Sequence, residues 1–158
     1  MSNILILGAG SMGTAFSFPC TDNHHVVSIV GTHLENDFID QINSKKKHPA
    51  LNCEVPKSVK FSKFEKLGEE INKKVDLVVV AVTSKGIEWA SIELSKVLKS
   101  NIPILILTKG LAINNNNYEM LAHKMERLLK NNGIKETNIS AAGGPCLAKG
   151  LANKVHTS

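Results

Sequence analysis

Asn3-Ile4-Leu5-Ile6-Leu7-Gly8-Ala9-Gly10-Ser11-Met12-Gly13 decides how the rest of this sequence is read. A short apolar run ending at Gly8 fits a parallel strand buried on both faces. Ser11 to Thr21 then reads as a helix, with Pro19 expected to kink or end it. In a strand–turn–helix setting the GxGxxG spacing gives each glycine its own task. Gly8 makes the tight turn, Gly10 lets the backbone approach a pyrophosphate, and Gly13 lets helix and strand pack closely. The free N–H groups and positive dipole end of the helix then face the phosphates.

Beyond Gly13, apolar runs and helical stripes alternate. Strands are expected at His25–Val30, Val59–Phe61, Asp76–Val82, Pro103–Leu107 and Asn138–Ala142, with Asp76–Val82 central to the sheet. Helices are expected at Leu34–Ile42, Phe64–Ile71, Gly86–Leu98, Tyr118–Leu129 and Cys146–Ala152. Ser44–Ser58, with its Lys45-Lys46-Lys47-His48-Pro49 opening, reads as a solvated loop. A second loop runs from Lys109-Gly110 through Asn114–Asn117, whose asparagines offer a cap for the next helix, and Gly133 marks that helix's end. Gly143-Gly144-Pro145 reads as a turn, and Val155–Ser158 as the start of a further strand. This alternation predicts an α/β fold, a Rossmann-type doubly wound parallel sheet forming one domain over residues 1–158.

Composition agrees with one globular domain: 158 residues, 42% apolar and 21% charged. The net charge of +5 comes from 19 basic residues, of which only Arg127 is arginine, and aromatics are 4%. Nucleic-acid readers rely on arginine forks and aromatic platforms, so a nucleic-acid partner is not expected. Cys20, Cys53 and Cys146 form no CxxC pair, which predicts reduced thiols and a cytoplasmic location. Neither they nor His24-His25 have metal-ligand spacing, so no metal is expected. The N-terminus has no signal-peptide pattern and no run is long enough for a membrane span.

The acidic residue that would hold a ribose 2′-hydroxyl about 20 residues after the glycines is missing from Gly31-Thr32-His33. Its absence removes a repulsion against a 2′-phosphate, to which Thr32 or His33 would donate. This favours tolerance of the phosphorylated cofactor. Glu35, slightly later, is the alternative ribose residue.

Gly8–Ala15, Val80-Ala-Val-Thr-Ser84, Leu107-Thr-Lys-Gly110 and Gly144-Pro-Cys-Leu-Ala-Lys149 together resemble the NAD(P)-dependent glycerol-3-phosphate dehydrogenases, in matching order and spacing. The stretch between Gly31 and Pro56 is similar as well. The resemblance covers that family's N-terminal cofactor-binding domain. It implies NAD or NADP as cofactor, contacted by Gly8, Gly10, Ser11, Met12, Gly13, Thr32, Ser84, Lys109 and Ala148. It also implies a small phosphorylated substrate, glycerol 3-phosphate or dihydroxyacetone phosphate, contacted by Lys109, Gly144 and Cys146. Cys146 departs from the family pattern, which usually has a hydroxyl there. The family's catalytic lysine belongs to a C-terminal helical domain absent from this chain, so no catalytic residue is expected here and the isolated chain is expected to be inactive; a homodimer of the full-length form is a further expectation. Two other readings stay open: a ketopantoate- or 3-hydroxyacid-type reductase domain, and a non-catalytic NAD(P)-binding regulatory module.

Overall fold

The run quoted first becomes β1 (Asn3–Leu7), the middle of a sheet. In the computed structural model, which describes residues 1–99 and 101–156, the remaining strands are β2 (Val26–Val30), β3 (Lys47–His48), β4 (Cys53–Glu54), β5 (Lys60–Ser62), β6 (Leu77–Val80), β7 (Ile104–Ile106), β8 (Leu111–Asn114), β9 (Asn117–Met120) and β10 (Ile139–Ala141). The α-helices are α1 (Ser11–Asp22), α2 (Asn36–Lys45), α3 (Leu67–Ile71), α4 (Ile87–Val97), α5 (Leu121–Asn131) and α6 (Ala148–Ala152). Six strands form the main sheet in the order β10-β7-β6-β1-β2-β5, with every adjacent pair parallel.

Alternation along β1 explains why helices cover both faces. Leu5 and Leu7 pack with Val78 and Val80 against Leu67 and Ile71 of α3, Ile87 and Leu94 of α4, and Met125 and Leu129 of α5. Ile4 and Ile6 turn to the other face, with Ile29, Cys20 of α1 and Ile39 and Ile42 of α2. Each large aliphatic side chain buried this way contributes about 1.5–3 kcal/mol. The doubly wound sheet is therefore specified by apolar residues on both sides of its central strands.

The structure differs from the sequence expectations at several points. Pro19 neither ends α1 nor sits outside it: the helix runs on to Asp22, and the Pro19 carbonyl accepts the Asn23 N–H at 3.1 Å and its side-chain amide at 2.8 Å. The Ser44–Ser58 loop holds the β3–β4 hairpin and a buried His48. The asparagines do not cap α5, whose N-cap is Met120 without a side-chain bond. Instead Asn115 and Asn116, at φ 48° and 62°, form the turn of the β8–β9 hairpin. Arg127 of α5 grips Glu119 of β9 with two bonds of 3.0 and 2.8 Å, anchoring that hairpin. Phe64–Lys66 is a 3₁₀ turn before α3 rather than α-helix. Val155 and His156 are not in a strand, and Thr157 and Ser158, the rest of that expected strand, lie outside the described residues. No helix among the described residues is long and apolar enough to cross a membrane.

Candidate dinucleotide crevice

Strand order reverses between β1 and β6: β2 and β5 lie to one side, β7 and β10 to the other. Ligands of open α/β sheets bind outside the carboxyl ends of the strands at such a switch point. The loops leaving β1 and β6 touch there. Gly8 takes φ +110°, and a Cβ on it would lie 2.6 Å from the Ala81 carbonyl oxygen. A Cβ on Gly13 would fall onto the Gly8 carbonyl oxygen and 2.9 Å from the Ala81 side chain. The protein's own packing demands both glycines. Gly10 is different: its φ of −62° and ψ of 179° suit any residue, and a Cβ there would meet only Glu35 Oε1, at 3.8 Å. The space over Gly10 is open, which close approach of a ligand requires and packing does not. No side chain caps α1, so the N–H groups of its first turn face the same opening. These residues fit a dinucleotide pyrophosphate.

A cleft of about 370 Å³ continues from this loop, lined by Met12, Val82, Ser84, Lys109, Cys146 and Ala148 among others. Five of the residues singled out in the sequence thus share one wall. Thr108 donates its hydroxyl to the Val82 carbonyl at 2.6 Å, tying the loop after β7 to the loop after β6. Lys109 reaches across to the turn before α6, where its ammonium donates to the carbonyls of Gly144 and, at 3.0 Å, Cys146. Gly144 therefore meets Lys109 through its backbone, and its φ of +94° shows why glycine stands in that turn. Thr32 lies apart from this cleft, at the end of β2. Cys146, only partly buried, donates weakly to the Leu147 carbonyl at 4.0 Å. Cys20 is of another kind, a buried thiol whose pKa burial pushes up to about 11. All three cysteines are free, and no cluster of metal-ligating side chains occurs among the described residues.

A second cleft, of about 290 Å³, opens at the amino ends of β1 and β2 and includes Lys60, Glu70 and Lys73. Glu70 is 3% exposed and takes ion pairs from Lys60 at 2.5 Å and Lys73 at 2.8 Å. Burial pushes its pKa up, but the two ammonium groups outweigh this and hold the carboxyl below the usual range. Both ammonium groups are held on the one Glu70 carboxylate, and the cleft lies at the wrong end of the strands for the glycine loop.

Two residues beside that loop were not assigned a firm place by the sequence. Glu35 accepts the Ala9 N–H at 3.1 Å and the Thr32 N–H at 2.7 Å through Oε2. His48 is 1% exposed, packs edge-on against Phe38, and accepts the Leu51 N–H on Nδ1 at 3.2 Å. Burial lowers its pKa, with the Ala9 backbone and the Glu35 charge opposing. His48 is thus neutral in the fold, while the unfolded chain takes up a proton below about pH 6.5. Stability from this group is full above that pH and falls as the pH drops toward the lowered folded pKa. Urea melts between pH 7.5 and 5 are expected to show this loss, and His48→Gln to reduce it; equal slopes in both proteins would contradict the assignment.

Fold and crevice together define an α/β domain of the dinucleotide-binding class. Residues 3–158 match the family described as NAD-dependent glycerol-3-phosphate dehydrogenase N-terminus, and the chain belongs to that family. An NADP(+)-dependent glycerol-3-phosphate dehydrogenase of Archaeoglobus fulgidus is 28% identical over 98% of this chain and 44% of its own length. A glycerol-3-phosphate dehydrogenase [NAD(P)+] of Bacillus pumilus is 35% identical over 70% of this chain and 31% of its own. The crystal structure of glycerol-3-phosphate dehydrogenase from Coxiella burnetii superposes with a TM-score of 0.78 at 21% identity, covering 96% of this chain and 43% of that one. The chain spans less than half the length of each of these proteins.

Proposed function

We propose that this chain binds a nicotinamide dinucleotide at the β1–β6 switch point and is the cofactor-binding part of an oxidoreductase acting on glycerol 3-phosphate or dihydroxyacetone phosphate. The observation that carries the reading is the open space over Gly10, a glycine that the chain's own packing does not need. In this reading Gly8 and Gly13 shape the loop, while Gly10, Ser11 and Met12 present backbone to the pyrophosphate. Ser84 and Ala148 border the cofactor farther along the cleft, and Thr32 borders the adenosine end. The bound dinucleotide supplies hydride acceptance and donation. The chain's own contribution is binding and orientation.

Lys109 suits the substrate end because its partners are neutral carbonyls: they hold the ammonium in place without cancelling its charge. An anionic phosphate entering the cleft meets that charge beside the Gly144 and Cys146 backbone. A thiol at Cys146 donates more weakly than a hydroxyl, so Gly144 and Lys109 do most of the holding. We assign the proton-transferring group, a helical domain and any pairing of two copies to a longer polypeptide, and place the protein in the cytoplasm with its thiols reduced. Calorimetric titration of the chain with NADH is expected to give saturable binding at one site; a flat titration with folded protein would overturn the proposal.

A further inference from the structure

In dinucleotide-binding α/β folds the end of the second strand is where the adenosine ribose is read. There the chain turns through Gly31 and Thr32, and Glu35 stands at the N-cap of α2, where its carbonyl accepts the Ile39 N–H at 2.8 Å but its side chain makes no bond to that helix. Its Oε2 instead takes the Ala9 N–H at 3.1 Å and the Thr32 N–H at 2.7 Å. One carboxylate oxygen thereby staples the glycine loop to the end of the neighbouring strand. The other, Oε1, takes no hydrogen bond from the described residues and stands 3.8 Å from where a Cβ on Gly10 would be. A free acceptor oxygen thus borders the opening over the glycine loop, on the β2 side. No lysine or arginine pairs with Glu35 among the described residues.

Part of the Thr32-His33 turn is already taken up inside the fold. The Thr32 N–H already serves Glu35. The His33 ring packs against Trp89, at 4.8 Å between centroids, and Phe64, at 6.4 Å. The acid that Gly31-Thr32-His33 lacks is therefore supplied from a few residues later, because the chain folds back at the start of α2.

We propose that Glu35 is a specificity-determining residue that selects NAD(H) over NADP(H). This rests on the dinucleotide reading given above and deepens it. A ribose with free hydroxyls donates to Oε1. A 2′-phosphate has no proton to offer in that direction and brings negative charge against an unpaired carboxylate. Pinning by two backbone N–H groups keeps Glu35 from swinging away without leaving both donors unpaired.

Equilibrium titration of the full chain with NADH and with NADPH tests this directly, on wild type and Glu35→Gln. Wild type is expected to bind NADH at least about tenfold more tightly than NADPH, and Glu35→Gln to bring the two to within about threefold, mainly by gaining NADPH affinity. Circular dichroism and a thermal melt show that the variant is folded. Competition of adenosine 5′-monophosphate and adenosine 2′,5′-bisphosphate against NADH on wild type reads the same preference without a substitution, the first expected to compete better. NADPH binding as tightly as NADH to wild type, or an unchanged ratio in folded Glu35→Gln, would overturn the role of Glu35 while leaving the dinucleotide site intact. If neither dinucleotide binds folded wild type, the dinucleotide reading itself fails and this inference falls with it.

Discussion

Gly10→Val is expected to fold like wild type and to lose NADH binding by at least about 100-fold, whereas Gly13→Ala is expected to lose the fold's stability first. The two residues sit three apart in one loop, yet a side chain meets different surroundings at each. Over Gly10 the nearest obstacle is a side-chain oxygen 3.8 Å from the new Cβ, and the backbone is in an ordinary extended conformation. A valine there fills only the open space that the proposed function assigns to the pyrophosphate. At Gly13 the new Cβ collides with the Gly8 carbonyl, whose position is fixed by the β1–β6 contact. Overpacking of that kind costs about 1–3 kcal/mol or more, which lowers the melting temperature by roughly 2–12 °C in a domain of this size. NADH fluorescence titration and a thermal melt on each variant check both halves. Unchanged affinity in Gly10→Val would remove the assigned site.

With saturating NAD⁺ and glycerol 3-phosphate, the 158-residue chain is expected to produce no measurable NADH. Oxidising a secondary alcohol requires a base to take the hydroxyl proton, a contribution of about 10²–10⁴-fold, with substrate orientation adding more. The titratable side chains along the cleft are Lys109 and Cys146. Lys109 is tied to the carbonyls of Gly144 and Cys146 on the far side of the cleft. Cys146 bonds only to a neighbouring carbonyl among the described residues and has no imidazole or carboxylate to activate it. Steady NADH production that Lys109→Ala abolishes would show that the chain contains its own base.

The sheet and the glycine loop were legible because their signals are local and physical. Buried parallel strands need apolar residues on both faces, and a glycine loop between strand and helix has few other uses. Asn114–Asn117 carried a legible signal that was assigned to the wrong element. Paired asparagines accept positive φ, and Leu111 and Ile113 before them alternate as Tyr118 and Met120 do after, which is the signature of a tight hairpin. β3 and β4 are two residues each, too short to show a strand period. His48 follows three lysines, and its burial comes from Phe38 and the glycine loop, which only the tertiary fold brings near it. Glu35 was legible only as the alternative ribose residue, since its reach back to Ala9 and Thr32 depends on where α2 begins. Lys109 came from strand-end logic and family likeness together, Cys146 and Ala148 from family likeness alone, and the three line one cleft.

A crystal structure of this chain grown with NADH tests the central claim most directly. The pyrophosphate is predicted to lie over Gly10 within hydrogen-bond distance of the first backbone N–H groups of α1, with the adenosine ribose at Glu35 and the nicotinamide in the cleft bordered by Met12, Val82 and Lys109. A dinucleotide seated elsewhere, such as the Lys60–Glu70 cleft, with the space over Gly10 left to solvent, would contradict it.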